Sequence, residues 1–145
     1  MTTEAIQLDV FRDGSRLLVV PGALSDIGFQ DLDQLIVVGA EGLAGALETG
    51  ERSARAITAL PRDKRFGTGT PTWKQAGYES EQQFVKGTAL VSIVRDDELT
   101  ELFFMVAARN LRGGDIDDGP EALGRGTPLT VVAEHVLAMF AKHDR

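Results

Sequence analysis

Cysteine is absent from these 145 residues, and histidine occurs only at His135 and His143. Without cysteine there is no disulfide, no thiolate metal site and no thiol nucleophile, a composition that suits a reducing cytoplasm. Long apolar runs are missing too. Leu17–Val20 and Leu102–Ala108 fall far short of a membrane span. The stretch Met1–Asp9 is acidic and lacks the basic flank and apolar centre of a secretory signal. These absences lead us to expect a soluble, cytoplasmic protein.

Motifs for common chemistries are lacking as well. His135 and His143 stand about two helical turns apart, too far for both to bind one metal directly. Glu134-His135 has no second histidine at the spacing of a zinc-protease helix. No serine sits in a Gly-x-Ser-x-Gly elbow. The stretch Phe66-Gly67-Thr68-Gly69-Thr70-Pro71 offers backbone donors near Lys64 and Arg65, but lacks the Gly-Lys-Ser/Thr ending of a phosphate loop. Counted from Asp115, the sixth and twelfth positions of an EF-hand hold Pro120 and Gly126 in place of glycine and an acid. We therefore expect no metal, no cofactor and no catalytic residue. A serine–histidine–acid triad assembles across distance, so an enzyme using His135 or a carboxylate in an unrecognised cleft stays open as an alternative.

What the chain does have is charge, unevenly placed. Its formal net charge is −7. Between Arg52 and Lys74, six cations (Arg52, Arg55, Arg62, Lys64, Arg65, Lys74) face one acid, Asp63. Between Asp96 and Glu121, eight acids face two arginines, Arg109 and Arg112. Such asymmetry favours a partner selected by charge, although two solvated loops of opposite sign give the same pattern. The basic segment, with Phe66 and Trp73 as stacking groups, leaves a nucleic-acid-binding domain as a further alternative. The acidic remainder of the chain would repel phosphate.

The local patterns predict one α+β domain over residues 1–145, mainly antiparallel sheet, with strands followed by one amphipathic helix in each half. Ile6, Leu8 and Val10 alternate with polar residues, Asp13-Gly14 signals a turn, and Arg16–Val20 returns to Pro21-Gly22. Gln34–Val38 is strand-like, and Ala40–Arg55 reads as a helix weakened by Gly42, Gly45 and Gly50. Ser80 and Gln83 form a capping box, and Gly87 suits a left-handed cap. Two strands, Thr88–Arg95 and Leu99–Ala108, flank an Asp96-Asp97 turn, and the run Phe103–Val106 predicts burial on both faces. A short strand is expected near Glu121–Leu123. Thr127 is the expected N-cap of a last helix with Pro128 first and Leu129, Val132, Val136 and Phe140 on one face. No residue-level repeat underlies the likeness of the halves.

The segment Gly77-Tyr78-Glu79-Ser80-Glu81-Gln82-Gln83-Phe84-Val85-Lys86-Gly87-Thr88-Ala89-Leu90-Val91-Ser92-Ile93 resembles part of the bacterial contact-dependent growth inhibition immunity proteins. There a Gly-x-x-Ser helix start leads through Phe-x-Lys-Gly to a Val-Ser-Ile strand. The sequel is similar: a second strand, Asn110, a variable loop and an amphipathic final helix. The resemblance implies a small cytoplasmic antidote that binds the C-terminal toxin region, often a nuclease, of a partner exoprotein. It implies no catalytic residue. A basic toxin domain suits the acids, and we expect Asp96, Asp97, Asp115, Asp117, Asp118 and Glu121 to meet it. Neither direct nucleic-acid nor membrane binding is expected.

Overall fold

A computed structural model describes residues 5–14, 16–21, 36–38, 42–59, 61, 72–96, 100–105, 121–124 and 126–143. In chain order these form β1 (Ile6–Asp13), β2 (Arg16–Pro21), β3 (Ile36–Val38), α1 (Leu43–Thr58), α2 (Thr72–Gln75), α3 (Glu81–Gly87), β4 (Ala89–Arg95), β5 (Thr100–Met105), β6 (Glu121–Ala122) and α4 (Leu129–His143). The six strands make one antiparallel sheet in the order β3-β2-β1-β4-β5-β6. The fold is α+β, and each half is a three-stranded meander followed by a long helix.

Strand alternation divides the sheet into two faces. Ile6, Leu8 and Val10 of β1 share one face with Leu17 and Val19 of β2 and with Val91 and Ile93 of β4. Leu43 and Leu47 of α1 and Val132, Val136 and Phe140 of α4 close over them in the main core. Each such fully buried side chain stabilises the fold by about 1.5–3 kcal/mol. Gly50, which reads in the sequence as a weakness of α1, has a packing reason. A Cβ there would stand 2.9 Å from Val19 Cγ1, so glycine lets the helix lie close on the sheet.

The other face carries a smaller core. Phe11, Leu18 and Val20 meet Ala76 and Phe84, with Trp73, Tyr78 and Leu90 packed against them. Ser80 caps α3 as the sequence predicts: its Oγ accepts from the Gln83 amide at 3.2 Å. The reciprocal bond shifts by one residue, since Gln83 Oε1 accepts from the Glu79 amide at 3.3 Å.

Three local expectations are corrected. Gly87 is the last helical residue and not a left-handed cap, and Thr88 continues in extended backbone. Glycine there lets Tyr78 lie close, 3.1 Å from where a Cβ would stand. Asp13 does not occupy the centre of the first turn. It pairs with Arg16, and Gly14, at φ 61°, is the first linking residue. Thr127 does not open α4, which begins at Leu129 after Pro128; its hydroxyl turns back to donate to the carbonyls of Leu123 at 3.0 Å and Gly124 at 2.8 Å. Pro128 supplies the carbonyl that opens the helix, accepting from Val132 at 3.0 Å. The side chains of Phe103–Val106, expected to be buried on both faces, lie outside the described residues.

The register reveals an internal two-fold relation. Asp9 lies opposite Ser92, 83 residues on, at the centre of the paired stretch of β1 and β4. The same shift carries the pairs Val10–Val19 and Arg12–Leu17 onto Ile93–Leu102 and Arg95–Thr100. A slightly longer shift carries Leu43, the first residue of α1, onto Leu129, the first of α4. Within these stretches identity is confined to Arg12/Arg95, Asp13/Asp96, Leu43/Leu129 and Glu48/Glu134, too sparse to read as a repeat.

Candidate partner interface

The antiparallel register sets the acids that the sequence singles out. Arg95 pairs with Thr100, so Asp96, the next residue, lies at one end of the sheet. Strand β6 runs toward that same end: Glu121 pairs with Leu102, Ala122 with Glu101, and the Leu123 amide donates to the Thr100 carbonyl at 2.7 Å. Asp96 is exposed there. Asp96 and Glu121, distant in sequence, are thus brought to one end of the sheet. Glu101, half-buried, joins them on β5. Asp97, Asp115, Asp117 and Asp118 lie outside the described residues.

Beneath this end an ionic link ties the two halves. Glu51 of α1 stands 3.0 Å from Arg95 of β4 (Oε2 to Nη1), a Coulombic contact whose buried atoms do not meet hydrogen-bond geometry. The other oxygen of Glu51 accepts from Arg55 at 3.2 Å, and Arg95 Nη2 donates to the Thr127 carbonyl at 3.3 Å. Arg12, which occupies the place of Arg95 in the first half, lies over the Phe140 ring of α4, 5.3 Å from its centroid. Each arginine therefore grips the helix of the opposite half.

Two polar groups escaped the sequence reading. Asp9 and Ser92 are both buried in mid-sheet, and Ser92 Oγ donates to Asp9 Oδ1 at 2.7 Å. Gln7 Nε2 donates to the same oxygen at 3.1 Å. Burial pushes the Asp9 carboxyl up from 3.8, against the opposing pull of these two bonds. The strand alternation marks Asp9 only as a polar position; its burial comes from strands distant in sequence. At the opposite end of the sheet, Arg16 donates to Asp13 at 2.9 Å and to the Ala76 carbonyl at 3.0 Å. Burial and the hydrogen bond to Asp13 push the Tyr78 phenol up to about 12.

The basic segment is not one patch among the described residues. Arg52 and Arg55 are exposed on α1, whereas Lys74 is exposed on α2, across the sheet. His135 is half-buried on α4 next to Val136. Among the described residues no group of three or more His, Asp or Glu side chains is placed to hold a metal, and no helix is long and apolar enough to cross a membrane. No protein-family model matches the chain, and no curated protein or solved structure matches it either.

Proposed function

We propose that this chain is a cytoplasmic immunity protein that binds and neutralises the C-terminal toxin domain, a basic nuclease, of a contact-dependent growth inhibition exoprotein. The reading rests on the resemblance carried by Gly77–Ile93. The structural observation that supports it is the placement of Asp96 and Glu101 at one end of the sheet. A nuclease must hold a polyanion through cations. Carboxylates at one end of the sheet complement such a surface, speed its encounter and disfavour wrong partners. The chain acts by occupancy and turns over no substrate. Its partner is a protein domain, with no direct contact to nucleic acid or membrane.

Genomic neighbourhood and binding test this together. The gene should directly follow one for a large exoprotein, and the purified chain should form a complex with that exoprotein's C-terminal domain. Co-expression should restore growth to cells making the domain. A domain that stays equally lethal with and without the chain, and does not associate with it, overturns the reading.

A further inference from the structure

Three glycines, Gly42, Gly45 and Gly50, weaken α1 in the sequence, and the fold accounts for two of them. Gly42 precedes the helix at φ 88°, and Gly50 lets α1 lie close on Val19. Gly45 has neither reason. It lies in the first turn of α1, is exposed, and a Cβ there would meet nothing within 4 Å. Glycine is a costly helix residue, and no contact within the described chain offsets that cost.

Gly45 shares the outward face of α1 with Glu48, Arg52 and Ala56, all exposed and spaced three or four residues apart over about three helical turns. Glu48 and Arg52 stand four residues apart with the acid first, the order that favours an ion pair along a helix. Glu51 and Arg55, at the same spacing, do pair, at 3.2 Å. Among the described residues, Glu48 and Arg52 pair neither with each other nor with any other charge. Both charges are open to a partner.

Reversed end to end, this face is complementary to itself. An antiparallel second copy sets Glu48 against Arg52 and Arg52 against Glu48 about one two-fold axis, and brings Gly45 opposite Ala56 at either end. Small residues at those ends let the helix axes approach to about 8 Å. Helix α4 does not share the property: the shift that carries Leu43 onto Leu129 carries Glu48 onto Glu134 but Arg52 onto Ala138. We infer that two copies of this chain associate through α1, packed antiparallel on its counterpart, with reciprocal Glu48–Arg52 ion pairs flanked by Gly45 and Ala56. The face is narrow and its centre is charged, so the dimer forms with rising concentration and is weakened by salt. This association is independent of the function proposed above.

Sedimentation velocity of the purified chain, over a range of protein concentrations at low and high salt, tests it. Wild type should shift from monomer to dimer as its concentration rises and shift back at high salt. Glu48→Arg and Arg52→Glu, each alone, set like charges across the axis and should weaken self-association by about tenfold or more. An equimolar mixture of these two variants should form a heterodimer, because one offers only cations there and the other only acids. The double variant, Glu48→Arg with Arg52→Glu, should recover self-association. Gly45→Met should weaken association without lowering the thermal midpoint of the monomer, since the side chain points into open space. A wild-type chain that stays monomeric throughout overturns the dimer. Single variants that dimerise as wild type does overturn α1 as its face, and so does a mixture or a double variant that fails to re-form a dimer.

Discussion

Ser92 donates to Asp9 at 2.7 Å across the junction of β1 and β4, at the centre of the internal two-fold relation. The two halves meet there on a buried carboxyl, where alternation in the neighbouring strands places apolar side chains. Burial pushes the Asp9 pKa up, so its ionised form opposes folding.

Asp9→Asn should therefore stabilise the protein at neutral pH, since the amide oxygen can still accept from Ser92 and Gln7. A raised native pKa gives stability that is complete below the unfolded value near 3.8 and is lost as pH rises through the native value. The advantage of the asparagine variant should shrink as pH falls toward 3.8. Denaturant unfolding across that window checks it; a pH-independent difference would rule out the carboxyl as its source.

Tyr78 is the only tyrosine in the chain, so its ionisation can be followed alone. Ultraviolet titration of the folded protein should give a midpoint near 12, because burial and the bond to Asp13 both hold the phenol neutral. Stability should correspondingly fall as pH rises above the ordinary tyrosine value of 10.0. A midpoint near 10 would place the phenol in water.

Phe84 is buried between Phe11, at 4.8 Å between ring centroids, and Tyr78, at 5.2 Å. Phe84→Ala should cost about 3–5 kcal/mol in denaturant unfolding. The single tryptophan, Trp73, packs against the same cluster and should report its loosening by fluorescence. A loss below about 1 kcal/mol would show that the smaller core contributes little.

Gly50→Ala sets helix propensity against packing. Alanine favours an α-helix interior by about 1 kcal/mol over glycine. Here its Cβ would meet Val19 Cγ1 at 2.9 Å, and Val19 is a stiff, fully buried side chain. The clash should win, with a net loss of about 1–2 kcal/mol on thermal or denaturant unfolding. A stabilised variant would mean that α1 moves away from the sheet easily.

Much of this architecture is settled within a few residues of chain. Alternation in Ile6–Val10, the spacing of Val132, Val136 and Phe140, and the Ser80–Gln83 box each depend on neighbours one to four positions away. The sequence alone therefore determined the α+β class, most strands and the last helix. Helix ends and turns were less legible. Thr127 has the chemistry of a cap, but the carbonyls of Leu123 and Gly124 compete for its hydroxyl. Only the tertiary structure decided the relations between distant strands. Pairing β1 with β4 set Asp9 against Ser92 and carried Arg12 and Arg95 to opposite helices, and packing α1 on the sheet set Gly50 against Val19. Pairing β5 with β4 and β6 brought Asp96 and Glu121 to one end of the sheet. The physical reason is that local pattern selects which face of a strand is apolar, whereas strand order and register follow from burying both meanders under two helices at once. That choice depends on contacts between residues dozens of positions apart, which no short window of sequence contains.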